Sequence, residues 1–267
     1  MVSFPNGKIN LGLRVTRKRA DGFHDIETVF YPIAIHDVVD MVVANKFSFT
    51  SSGIAVDGSL ENNLCVKAHQ LIKNDYPLLP FVAIHLLKNI PIGAGLGGGS
   101  ADAVACLQLL NHIGKLDIPS PQLSEYALQL GSDCPFFLLN KPCLAMGRGE
   151  QLTEINVDLS AYDILIANPG IHISTGWAFS ALKIDPGGSE LRNIVQKPVH
   201  EWKGKLQNDF EQVVFEKYAE IKDLKEYLYE RGAVYASLSG SGSTVYGLFK
   251  KGNRPGIHLP SAFVKWL

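Results

Sequence analysis

The 267-residue chain has only four cysteines, Cys65, Cys106, Cys134 and Cys143, and no two of them stand in a C-x-x-C spacing. That excludes a zinc ribbon and a disulfide framework, and three of the four lie in apolar runs where a thiol acts as a small hydrophobe. Neither sign of charge dominates: 25 Lys and Arg stand against 26 Asp and Glu, for a net charge of −1. A chain so balanced has no long-range field to attract nucleic acid or an anionic membrane, so any phosphate binding must be local. Long hydrophobic runs are lacking as well, since none approaches the ~18 residues of a membrane span. The N-terminal MVSFPNGKINL has no apolar signal core and is too short and strand-like for a transit peptide. These absences lead to the expectation of a soluble cytoplasmic protein that takes neither nucleic acid nor membrane as a partner. Its length suits two domains slightly better than one large one.

What is present reads as interleaved strands and helices. KINLGLRV at 8–15 and VVDMVVA at 38–44 predict strands separated by the turn-prone TRKRADGFHD. Asn62 and Asn63 are N-cap candidates for a helix carrying Leu64, Ala68, Leu71 and Ile72 on one face. FVAIHLL at 81–87 predicts a buried strand, and a helix follows from Ser100 to Ile113 with Gly114 as its stop. Ser120-Pro121 opens another helix that Gly131 closes. Farther on, YDILIANP predicts a strand, EQVVFEKYAEIKDLKEYLYERG a largely helical stretch, and AVYASLSGSGSTVYGLFK two strands around a glycine loop. The cadence is not a regular βαβ alternation, which argues for an α+β arrangement. A boundary is expected in TEINVDLSAY, giving domains 1–157 and 158–267.

Between the strand at 81–87 and its helix lies PIGAGLGGGSADAV, with five glycines in seven residues. Gly93, Gly95 and Gly98 satisfy G-x-G-x-x-G, but the second strand with an acidic end that a dinucleotide fold needs is missing, and no Lys follows to make a Walker A loop. What remains is backbone chemistry. Glycines leave N–H groups unshielded, and the helix start that follows presents unsatisfied donors with a partial positive charge, which together hold phosphate without a lysine. Ser100 can add a hydroxyl for a phosphate oxygen or a Mg²⁺ ion, or simply cap the helix.

Three segments, PIGAGLGGGSADA, KINLGLRVTRKRADGFHDIETVF and SLSGSGSTVYGLF, resemble the GHMP kinase superfamily of small-molecule kinases, whose phosphate loop has the form P-x-x-x-G-L-G-S-S-A-A. The resemblance runs from about residue 6 to residue 249, and the second segment is most similar to the branch acting on a cytidine diphosphate-linked methylerythritol in non-mevalonate isoprenoid synthesis. It implies a two-domain α+β fold, with an N-terminal domain like domain 2 of ribosomal protein S5 and a ferredoxin-like C-terminal one, and an active site in the cleft between them. ATP and Mg²⁺ are the implied cofactors, the cytidyl compound the acceptor, and a monomer or weak homodimer the expected state.

By the same resemblance, Lys8 and Asp133 match the active-site lysine and catalytic aspartate. Asn10, Phe23, His24 and Phe179 match substrate contacts, with the two aromatics stacking on cytosine and His24 reading its edge. Ser239 and Gly240 would close over the diphosphate. Asn63 and Lys88 fall where relatives contact adenosine, and Pro91, Gly93, Gly95, Leu96, Gly97, Gly98, Gly99 and Ser100 form the ATP loop. Ser132 stands where relatives often have Ala, and the tail after Lys251 is short and lacks a clear final helix.

Each assignment has a plainer counterpart. Asp133 before Cys134-Pro135 also fits an N-cap, a lone Lys8 a solvated edge-strand lysine, Phe179 an ordinary apolar helix face, and Ser239–Gly242 a hairpin turn. GRG at 147–149 carries no readable signal, and no carboxylate pair identifies itself as a metal ligand. Rival functions are a homoserine- or mevalonate-class kinase, which has no base to stack on ADGFH, and a non-catalytic nucleotide-binding module, which has no use for a base such as Asp133.

Overall fold

The computed structural model describes residues 1–56, 58–184, 191–259 and 262–267. In chain order the strands are β1 (Val2–Ser3), β2 (Asn6–Lys18), β3 (His24–His36), β4 (Val38–Val43), β5 (Ser48–Gly53), β6 (Val82–Lys88), β7 (Cys143–Met146), β8 (Gln151–Glu154), β9 (Tyr162–Asn168), β10 (Tyr235–Leu238), β11 (Val245–Lys250) and β12 (Phe263–Trp266). The helices are α1 (Leu64–Asp75), α2 (Gly98–Gly114), α3 (Ser120–Leu130), α4 (Cys134–Leu139), α5 (Thr175–Ala181), α6 (Leu191–Val195), α7 (Phe210–Lys217) and α8 (Ala219–Glu230). The residues group into two compact units.

The first unit, Met1–Gly7, Ala34–Ile92 and Gly97–Asn140, contains a four-stranded sheet in the order β1-β4-β6-β5. β6 runs antiparallel to β4 and parallel to β5. At its centre is α2, packed against α1, α3, α4 and β4. Its residues are apolar nearly all round and Ala101 to Cys106 are buried in succession, as a helix enclosed on every side requires. The Asn63 side chain accepts from the Cys65 N–H at 2.9 Å and so opens α1, as the cap reading expected.

Two helix ends differ from expectation. Gly114 is the last helical residue rather than the stop, and Lys115 takes the left-handed conformation beyond it (φ 47°). A Cβ on Gly114 would stand 2.6 Å from Leu79 Cδ1, so a side chain there would have to displace that leucine. Ser120 is the first residue of α3, and Pro119 precedes it as the cap position.

The second unit, Lys8–Ile33, Gly93–Leu96 and Lys141–Leu267, carries the antiparallel sheet β10-β11-β9-β12 and most of the sheet β2-β3-β7-β8. Leu13, Val15, Leu165, Ala167, Phe210, Val214, Leu228 and Phe249 share one buried cluster there. β9 and β11 are buried along almost their whole length, which explains their unbroken apolar runs. The helical stretch from 211 breaks at Tyr218 (φ −127°, ψ 81°) into α7 and α8, which pack on each other.

Six strands were not expected: β1, β3, β5, β7, β8 and β12. The polar stretch after β2 is a turn only over 19–23, and β3 begins at His24. Its run HDIETVFYPIAIH mixes polar residues into the apolar pattern because one face is only partly covered. The short tail ends in β12, paired antiparallel with β9; Pro260 and Ser261 of that tail lie outside the described residues.

Candidate active site

The glycine stretch lies between β6 and α2, where the sequence placed it. Gly93, Gly95 and Gly97 adopt left-handed φ of 62°, 79° and 71°, a backbone path that side-chain-bearing residues rarely take. Gly97 is the N-cap of α2 and has no side chain to accept from the first-turn N–H groups, and no acidic residue stands in that turn. The helix start therefore keeps its donors for an external anion. Ser100 is the third helical residue, so its capping role is ruled out; burial pushes the Cys134 thiol at the start of α4 up to about 12.

In the second unit the Gly93–Leu96 segment is fixed by three hydrogen bonds. Lys8 N–H donates to Leu96 O at 2.8 Å, the Ser239 hydroxyl to Gly95 O at 2.8 Å, and Thr244 N–H to Ala94 O at 3.3 Å. A Cβ on Gly95 would lie 1.9 Å from Ser239 O, so only glycine allows this approach. Ser239 and Gly240 belong to the loop joining β10 and β11, a hairpin whose turn is closed by Ser239 N–H on Thr244 O at 2.9 Å. The hairpin reading of Ser239–Gly242 thus holds, and Ser239 is also wedged against the first glycine loop.

Lys8 is buried at 3% exposure, which overturns the solvated edge-strand reading. Its Nζ donates to Asn10 Oδ1 at 2.7 Å and lies 4.8 Å from the centroid of the Phe30 ring. Asn10 in turn donates from Nδ2 to the Thr28 hydroxyl at 2.9 Å, and its carbonyl accepts from Tyr246 Oη–H at 2.9 Å. The ammonium is thereby held in a desolvated setting with a hydrogen-bond partner, as a buried charge requires. In the first unit, Asp133 stands at the N-cap position of α4 but in helical conformation, and its carboxylate makes no cap hydrogen bond. The plain capping role is therefore removed.

The turn at 19–23 is braced by ion pairs of Arg19 with Asp21 and Asp25. Phe23 at its tip is 51% exposed, and the Arg148 guanidinium covers its ring at 4.7 Å. The imidazole of His24 stacks on Phe179 at 4.6 Å and 13°, and Phe179 meets Phe210 edge-on at 4.9 Å. Burial, with Lys18 adding to it, holds His24 below the usual histidine range, so the ring is neutral at neutral pH. Phe179 therefore serves its own apolar core and still presents a face to His24.

Among the remaining expected residues, Asn63 is the α1 cap, and Lys88 has its ammonium bound by two buried carboxylates, Asp37 and Asp102. Neither acid was singled out from sequence. A lysine in an apolar strand was a signal that buried counter-charges exist, but nothing local says where. Arg148, in the unread GRG, was missed for the same reason: its partner Phe23 is on another hairpin.

Two family models match the chain in order, the GHMP kinases N terminal domain over residues 63–141 and the GHMP kinases C terminal over 191–256. A protein of Azobacteroides pseudotrichonymphae named 4-diphosphocytidyl-2-C-methyl-D-erythritol kinase is 51% identical, covering 96% of each chain. One of the same name from Bacteroides fragilis is 46% identical over 93% of this chain and 92% of its own. A solved structure of 4-(cytidine 5'-diphospho)-2C-methyl-D-erythritol kinase superposes with a TM-score of 0.78 at 29% identity, covering 93% of this chain and 90% of that one. With both family halves in order and relatives this similar along nearly the whole length, the chain belongs to the GHMP kinases.

Proposed function

We propose that this kinase transfers the γ-phosphoryl group of ATP to the 2-hydroxyl of 4-diphosphocytidyl-2-C-methyl-D-erythritol. The observation that carries the acceptor is the near full-length likeness to relatives of that name. The residues suit the chemistry, which asks a protein to align donor and acceptor and to offset charge on the transferring group. Asp133 is the general base that takes the hydroxyl proton, and Lys8, held by Asn10, places positive charge near the reacting oxygens. Gly93–Ser100 receive the ATP phosphates. Asn63 and Lys88, whose side chains are engaged elsewhere, meet the adenosine part through their backbone.

Phe23, His24 and Phe179 recognise the cytosine, with neutral His24 able to both donate and accept. Ser239 and Gly240 border the diphosphate, and Arg148, over Phe23, extends the stack. Residues 1–157 act as the ATP-binding domain and 158–267 as the substrate side, in a cytoplasmic monomer or weak homodimer. Mg²⁺ accompanies ATP in such transfers. Among the described residues no group of three His, Cys, Asp or Glu stands together to hold a metal ion. The ion would take its ligands from phosphate oxygens and water, as Mg²⁺ favours, with the Ser100 hydroxyl nearby.

The test is ADP release measured with a panel of acceptors. Turnover is expected with the diphosphocytidyl compound and not with mevalonate or homoserine. Turnover with either of the latter and none with the former would overturn the assignment.

A further inference from the structure

Three charged side chains in the first unit are almost fully enclosed: Lys88 at 3%, Asp37 at 0% and Asp102 at 2% exposure. Lys88 is the last residue of β6, Asp37 sits in the bend between β3 and β4, and Asp102 lies one turn into α2. The Lys88 ammonium donates to Asp37 Oδ2 and, at 2.8 Å, to Asp102 Oδ2. Asp37 Oδ1 also accepts from the Asn89 and Ile90 N–H groups at 2.6 and 2.8 Å, so this carboxylate fixes the chain leaving β6. Asp102 Oδ1 is different: it is buried and has no hydrogen-bond partner. The ammonium lies directly beneath the helix start, since a Cβ on Gly98 would be 2.8 Å from Lys88 Nζ.

Burying such a group is costly, and apolar residues of similar size usually stabilise a fold at least as well. What a buried ionic triad supplies beyond stability is a fixed position and a fixed charge. Both bear on the first turn of α2, whose free N–H groups face an anion. We propose that Asp37, Lys88 and Asp102 are positioning residues for the phosphoryl donor: they tie the first turn of α2 to the end of β6 and set the charge behind the N–H groups that receive the phosphates. This rests on the kinase reading given above.

Burial, reinforced by Asp37 and opposed by Lys88, pushes the Asp102 carboxyl up to about 7. Burial pulls Lys88 down, but the two carboxylates outweigh it and keep the ammonium charged.

The experiment is calorimetric titration of the full chain with a non-hydrolysable ATP analogue at neutral pH. Asp102→Asn keeps an acceptor for Lys88, and its analogue affinity is expected to equal or exceed that of wild type. Asp102→Ala drops the contact and is expected to bind the analogue about tenfold more weakly, the effect of one displaced charge at a partly buried helix terminus, while the acceptor KM is unchanged. A tenfold loss in Asp102→Asn, or full affinity in Asp102→Ala, overturns the proposal, whether or not Asp102→Ala folds. Calorimetry needs no acceptor, so a wrong acceptor leaves this test standing, whereas failure of wild type to bind the analogue would sink the kinase reading itself.

Discussion

Replacing Gly95 and Gly93 by Ala, one at a time, separates backbone strain from steric exclusion in the same loop. Both glycines are left-handed, at φ 79° and 62°, and an Ala there costs ~1 kcal/mol of backbone strain. At Gly93 that is nearly all, because the new Cβ would lie 3.5 Å from His172 Nδ1, an ordinary contact. At Gly95 the Cβ would stand 1.9 Å from Ser239 O, and ordinary carbon–oxygen separation requires the two loops to part by more than ~1 Å. Parting them removes the Ser239 hydroxyl bond to Gly95 O at 2.8 Å and loosens Lys8 N–H to Leu96 O and Thr244 N–H to Ala94 O on either side. At ~1 kcal/mol for each bond, Gly95→Ala is expected to cost ~4 kcal/mol against ~1 kcal/mol for Gly93→Ala. For a chain of this size that corresponds to lowering Tm by ~8–16 °C and ~2–4 °C respectively. Thermal unfolding followed by circular dichroism reads both values directly. Equal shifts in the two variants would refute the close approach of the two glycine loops.

Three other substitutions address the chemistry and its support. Asp133→Asn should lower turnover by ~10²–10⁴ while analogue binding stays as in wild type, and the loss is not one of capping, because the carboxylate makes no cap hydrogen bond. A stability loss of the ~1 kcal/mol typical of a cap, with turnover intact, would return Asp133 to a structural role. Phe23→Ala should raise the acceptor KM about tenfold or more, the worth of one base stack, and leave the ATP KM alone; Arg148→Ala should do the same more weakly. An unchanged acceptor KM in Phe23→Ala would end the stacking assignment. Tyr246→Phe strips the Asn10 carbonyl of its 2.9 Å partner in a fully buried setting, and should destabilise by ~1–3 kcal/mol in chemical denaturation; no change would mean that the carbonyl is satisfied elsewhere.

Much of the architecture was legible because its causes are local. Apolar runs placed β2, β4, β6 and β9, a polar side chain at Asn63 placed the start of α1, and the glycine run was readable as a loop between a strand and a helix. β3 and β12 escaped because neither shows a clean period: β3 is only partly covered on one side, and β12 is four residues that gain meaning from pairing with β9. Among the site residues, the types were readable and the surroundings were not. Lys8 looked like a lysine in water and is buried, and Asp133 looked like a cap and does not cap.

The sequence by itself determined the main apolar strands and the helices around the glycine loop, the left-handed path that only closely spaced glycines permit, and membership of a kinase family through three separated segments. Tertiary structure alone decided which polar groups share a buried space. Lys88 meets Asp37 at a separation of 51 residues and Asp102 at 14, and Ser239 meets Gly95 across 144. The physical reason is range. Propensity, capping and backbone freedom act over a few residues and are written in the local pattern, whereas desolvation and charge pairing depend on what packs alongside, which only the folded chain specifies.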